Sequence, residues 1–151
     1  QAFNPDVERS VKPVLKWLSS LGLSELQVQK VVSSHSRIFR SSVDQYLKPI
    51  VQWLAAVGIG DDQIARVIAR YPALFSFSVE GKLKPTVQAL RDQGLGEAEI
   101  TRMLVSFPQL LIYSSKRLTH RMTVLAARGR LASSLGSAMR LTDAKFTARF
   151  Q

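Results

Sequence analysis

The sequence predicts an all-α fold: a helical-repeat superhelix, or α-solenoid, of 36-residue units, each two helices and a short 3₁₀ turn. Three observations predict it. Lys12-Pro13 recurs as Lys48-Pro49 and again as Lys84-Pro85, at a step of 36 residues. Gly22, Gly58 and Gly94 keep the same step. So do the apolar columns Leu18/Leu54/Leu90 and Val28/Ile64/Ile100. A fixed period of this length marks a chain in which no unit can bury its apolar face alone, so neighbours stack.

The elements follow in order within each unit. In the second unit Leu47, Val51 and Leu54 fall on one helical face, which predicts a first helix over 49–57. Proline is tolerated in a first turn, so Pro49 reads as its start. Gly58 reads as its end, in the left-handed conformation. A second helix over 61–71 follows, with Gly60 at its N-cap and Gln63 three residues later. Its apolar stripe is Ile64, Val67, Ile68 and Tyr71, and Pro72 stops it. The same reasoning predicts helices over 14–21 and 25–35, and over 85–93 and 97–107. Pro72-Ala73-Leu74-Phe75 and Pro108-Gln109-Leu110-Leu111 read as 3₁₀ turns. Ser36 stands where proline is expected in the first unit, which predicts a less sharply turned third element there. Ser42, Ser78 and Ser114 punctuate the step into the next unit.

The chain thus reads as one repeat domain, 1–151. Full units cover 11–46, 47–82 and 83–118, and a capping unit covers 119–151. Residues 1–10 read as the end of a truncated repeat, because Phe3 takes the slot of Phe39 and Phe75, and Val7 that of Val43 and Val79. At least one further repeat upstream is therefore expected. In the fourth unit Arg121 replaces the repeat proline and Gly129 falls one residue short of register. Decay of this kind suits a cap, which must present a polar outer face. Thr142 is placed to begin a short closing helix.

Composition narrows the chemistry. With no cysteine, disulfides, thiol catalysis and Cys-based zinc sites are excluded. No apolar run reaches the roughly 18 residues of a membrane span. Two histidines without HxxxH or HExxH spacing argue against a metal site. His35 lies among serines, but adjacency in sequence makes no nucleophile–base pair, and no triad-like carboxylate accompanies it. No Gly-rich phosphate loop is present. The expectation is a non-enzymatic, monomeric protein without cofactor or metal.

Charge is the informative quantity. Twenty-one Lys and Arg against 11 Asp and Glu leave a net charge of +10, and such a surface collects polyanions. Lys30, Arg66 and Arg102 occupy equivalent positions on the three second helices, so they are expected to form a cationic line. Arg70 lies one turn beyond Arg66, and Arg37 and Arg40 add charge after the first unit's second helix. Lys12, Lys48, Lys84 and His120 form a second line beside the first helices. A row of point charges suits a phosphate backbone, because each contact releases counterions. The candidate nucleic-acid-binding residues are therefore Lys30, Arg66, Arg102, Arg70, Arg37, Lys48 and Lys84. A solvated helix face is the ordinary alternative for each, and the lysines of the second line can instead lay their stems over the preceding unit. Lys116, Arg117, Arg121, Arg128 and Arg130 add a further cluster of positive charge. Trp17, Trp53, Tyr71 and Phe107 are expected in packing rather than on a base-stacking surface.

The repeat resembles the mitochondrial transcription termination factor family, mTERF. The residues carrying the resemblance are Leu21-Gly22-Leu23, Tyr71-Pro72-Ala73-Leu74-Phe75, Leu83-Lys84-Pro85, Gly94-Leu95 and Phe107-Pro108-Gln109-Leu110-Leu111, with the closing Thr142-Asp143-Ala144-Lys145-Phe146. What it implies is a C-terminal portion of a family member, a curved superhelix with a basic concave groove, and a place in mitochondria or chloroplasts. It also implies binding of double-stranded DNA and regulation of transcription, termination included. Alternatives are an RNA-binding role in organellar RNA processing or ribosome assembly, or a protein-interaction scaffold. Duplex DNA is favoured over RNA, a protein partner remains open, and a membrane partner is not expected, because the apolar faces are needed inside.

Overall fold

The computed structural model describes the chain from residue 5 to 40 and from 42 to 151, with side chains from residue 11 onward. The expectations attached to Phe3 and to the Val7 side chain lie outside what is described. Among the described residues no strand forms. The α-helices are α1 (Pro5–Ser20), α2 (Glu25–Ser34), α3 (Lys48–Ala56), α4 (Asp61–Arg70), α5 (Lys84–Asp92), α6 (Glu97–Ser106), α7 (Ser115–Ala127), α8 (Leu131–Met139) and α9 (Asp143–Phe150). The fold is an all-α helical repeat. It divides into two compact units, Gln1–Val79 and Glu80–Gln151.

The punctuation works as its chemistry dictates. Gly22, Gly58 and Gly94 sit at φ of 96°, 106° and 92°, where a side chain would be strained. At the end of α3 the Ile59 N–H bonds to the Leu54 carbonyl and the Gly58 N–H to that of Ala55, closing a Schellman turn. Gly129, though out of register, does the same work at φ 67°, with Arg130 bonding back to Leu125. Ser24 makes a full capping box with Gln27. Gly60 and Gly96 have no side-chain acceptor, so only the returning bond forms, from the cap N–H to Gln63 and Glu99. Ser42, Ser114 and Thr142 each accept from the N–H three residues on.

Two expectations need correction. Pro49 and Pro85 stand in the first turn of α3 and α5, as expected, but proline does not open the helix of the first unit. α1 starts at Pro5 and carries Pro13 inside it. A π-helical turn, Val43–Leu47, leads into α3, and another, Val79–Leu83, leads into α5. In the first of these Leu47 bonds back to Ser42 and Lys48 to Val43, five residues each. Proline has no N–H to give, and its ring crowds the carbonyl four residues earlier. Widening the preceding turn by one residue moves that carbonyl aside, so the chain stays helical through Pro49.

The second correction concerns Ser36. It does not soften the third element: Ser36–Arg40 is a 3₁₀ turn like Pro72–Ser76. The residue before each turn holds the bend. His35, Tyr71 and Phe107 have φ/ψ near −142/63, −135/64 and −136/68. The third residue of each turn, Ile38, Leu74 and Leu110, is fully buried and anchors it. Burial of that anchor, not proline, fixes the turn.

The core is the set of aligned apolar columns. In the first unit Leu18, Val28, Ile38, Leu47, Leu54, Ile64, Ile68 and Leu74 are buried where α1, α2, α3 and α4 meet. In the second unit Leu83, Leu90, Ile100, Leu104, Leu110, Leu118, Leu125 and Phe146 do the same. Each buried leucine or isoleucine contributes roughly 1.5–3 kcal/mol relative to exposure.

Candidate nucleic-acid interface

Burial of the apolar stripes decides what α2, α4 and α6 leave outside. Val28 and Val31 turn inward on α2, Ile64, Val67 and Ile68 on α4, and Ile100, Met103 and Leu104 on α6. Lys30, Arg66 and Arg102 are consequently exposed, at the same position of each helix. In the first unit α2 packs directly against α4, the helices that carry Lys30 and Arg66. None of the three makes an ion pair among the described residues. Their charges are therefore available to a polyanion.

The second line is different. Lys48 is paired with Asp44 at 2.8 Å and Lys84 with Glu80 at 2.8 Å, each one helical turn back. Both pairs are exposed, and such pairs hold by about 0–1 kcal/mol, so a phosphate could still displace the carboxylate. It would meet less net charge than at Arg66. His120 is exposed, with its ring edge-on to Phe146 at 6.1 Å. Of the remaining candidates, Arg37 is exposed, and Arg70 lies over the Tyr71 ring at 5.5 Å.

Of the aromatic side chains, Trp17, Trp53 and Phe107 are engaged in packing, while Tyr46 is exposed. Trp53 is buried, and Trp17 is half-buried with its ring edge-on to Phe75 at 5.8 Å. Phe107 rests on Gly136 so closely that a Cβ there would stand 2.3 Å from the ring, and Arg140 covers it at 4.5 Å. Beside it Arg102, Glu99 and Met103 line a cavity of about 390 Å³ with serines of α6 and α8.

Arg121 corrects the sequence reading. It is not part of a surface cluster but is 1% exposed. Its guanidinium donates to the Ala138 and Leu141 carbonyls at 2.6 and 2.8 Å and to Asp143 at 2.7 Å, and it lies 4.7 Å over Phe146. Arg117 donates to the same Leu141 carbonyl at 2.7 Å. The Arg121 hydrogen bond, reinforced by the charges of Arg117, Arg121 and His120, holds the Asp143 carboxyl below its ordinary value. In the repeat pattern Arg121 takes the place of the proline, and that substitution was the available signal. Replacing proline restores an N–H to α7 and supplies a side chain that ties α9 down. Arg130 lies near Phe150 at 5.8 Å, while Lys116 and Arg128 are exposed.

His35 hydrogen-bonds Ser76 across 41 residues at 3.1 Å, joining the first two 3₁₀ turns. Burial, and then the charge of Arg37, lower its pKa from the ordinary 6.5. Among the described residues no group of His, Asp and Glu is arranged to hold a metal ion, and no helix is long and apolar enough to cross a membrane.

The family model described as mTERF matches residues 2–135. No curated protein matches the chain.

Proposed function

The chain belongs to the mTERF family, and on that premise we propose that it is an organellar nucleic-acid-binding protein that grips duplex DNA by its phosphates and regulates transcription, as a terminator does. The observation that carries the reading is the exposure of Lys30, Arg66 and Arg102 at one repeat position, free of ion pairs among the described residues. Each is assigned one backbone phosphate. Arg70 and Arg37 add contacts nearby, and Lys48 and Lys84 serve as secondary ones because they already hold carboxylates. Duplex is favoured over single strands because Trp17, Trp53 and Phe107 are occupied in packing, which leaves no stacking platform among them.

The test is affinity for duplex DNA, single-stranded DNA and duplex RNA of matched length across a salt series. Three phosphate contacts predict a duplex slope of log K on log salt of at least about −2.7. Tighter binding of duplex RNA would move the reading to an RNA-directed role. A slope near zero for all three would favour a protein-binding scaffold.

A further inference from the structure

We infer that the capping unit carries a pocket for a phosphate group, formed between α7 and α9. A cavity of about 440 Å³ opens there, lined among others by Lys116, Arg117, His120, Arg121, Asp143 and Phe146. Three permanent cations thus face a single carboxylate. That carboxylate is engaged by Arg121 at 2.7 Å and stands 4.0 Å from Arg117, so one negative charge is shared among three cations and the lining keeps a positive excess.

Two further observations point to an anion. The Arg117 Nε–H is buried without an acceptor, since Asp143 stands 4.0 Å away, beyond hydrogen-bond reach. A buried donor left unmet is unfavourable, and a bound oxyanion would supply the missing acceptor. The pocket also includes Ser114, the N-cap of the 13-residue α7, whose first-turn N–H groups and dipole favour negative charge. Guanidinium and ammonium groups bind phosphate oxygens by short charge-assisted hydrogen bonds. The volume exceeds what a bare phosphate needs, leaving room for the sugar of a nucleotide or a strand end.

The experiment is an amide and arginine-side-chain NMR titration of the whole chain with inorganic phosphate, against sodium chloride at matched ionic strength. Phosphate should shift the Ser115–Arg117 amides and the Arg117 Nε–H saturably, and chloride should not. Lys116→Gln combined with His120→Gln should weaken the phosphate effect about tenfold. Both side chains are exposed and neither makes the hydrogen bonds that Arg121 gives to Ala138, Leu141 and Asp143, and circular dichroism checks that the fold is retained. Duplex binding by the same variant separates the sources. A slope reduced by about 0.9 assigns the pocket to a backbone phosphate, and an unchanged slope assigns it to a free phosphate ligand. The proposal is overturned if phosphate moves no resonance in the pocket, or moves them equally in the variant. Duplex binding through Arg66 and Arg102 would survive that failure, so the two readings fall separately.

Discussion

Replacing Arg121 with methionine should unfasten the C-terminal helix while leaving the rest of the second unit folded. Methionine keeps most of the buried stem and removes the guanidinium. Two charge-assisted bonds to main-chain carbonyls are lost, at 2.6 and 2.8 Å, each worth roughly 1.5–3 kcal/mol. Both carbonyls keep a second donor: Ala138 accepts from the Leu141 N–H, and Leu141 from Arg117. Neither is therefore orphaned. The buried charge also recovers part of its desolvation cost when it is removed. The bond to Asp143 is left out of the sum, because that carboxylate is 91% exposed and returns to water. The net expectation is a loss of about 2–4 kcal/mol. Trp17 and Trp53 both lie in the first unit, so tryptophan fluorescence is the wrong probe. Urea unfolding followed by far-UV circular dichroism gives the stability, and hydrogen exchange of the 143–150 amides gives the local opening. Protection of α9 should collapse first. A loss below about 0.5 kcal/mol with α9 protection unchanged would refute the clamp.

Leu54→Ala should cost about 2–5 kcal/mol by opening a cavity in the first unit, read from the urea midpoint, and a surface-like loss would mean the packing is misjudged. Gly136→Ala forces a Cβ to 2.3 Å from the Phe107 ring. It should cost about 1–3 kcal/mol in thermal unfolding although alanine favours helix, and a gain would show that the ring moves freely. His35 has a lowered pKa, so the folded chain resists protonation there. The stability it contributes is present above its ordinary 6.5 and is lost as pH falls below that value. Urea midpoints at pH 7 and pH 5 should differ less in His35→Asn than in the wild type, and an equal difference would remove His35 from the account.

Much of this fold is legible because its signals are local. A glycine that must take positive φ, a serine that must cap, and a leucine every 36 residues each constrain the chain within a few residues of themselves. The π turns before Pro49 and Pro85 were not legible. Their need arises from a helix that continues upstream, which a rule about proline at a helix start does not represent. The turn at Ser36 is hidden for a related reason: it depends on a buried anchor at Ile38 and not on proline. The exposure of Lys30, Arg66 and Arg102 is legible in their shared repeat column. The pairing of Lys48 and Lys84 is legible as an acid four residues back, Asp44 and Glu80. The burial of Arg121 depends on carbonyls about 20 residues away, at the end of α8, and no local pattern announces that contact.

The central claim is that Arg66 and Arg102 contact phosphates. It is tested most directly by fluorescence anisotropy of a labelled DNA duplex with the Arg66→Glu/Arg102→Glu variant, from 50 to 200 mM salt. Loss of two contacts should lower the slope of log K on log salt by about 1.8, so the affinity gap from wild type should narrow about twelvefold across that range. The deficit should be alike for unrelated duplex sequences, because phosphates carry no base identity. Circular dichroism and melting should match the wild type. A folded variant with unchanged affinity and slope would contradict the account, and the two arginines would then be no more than a solvated helix face.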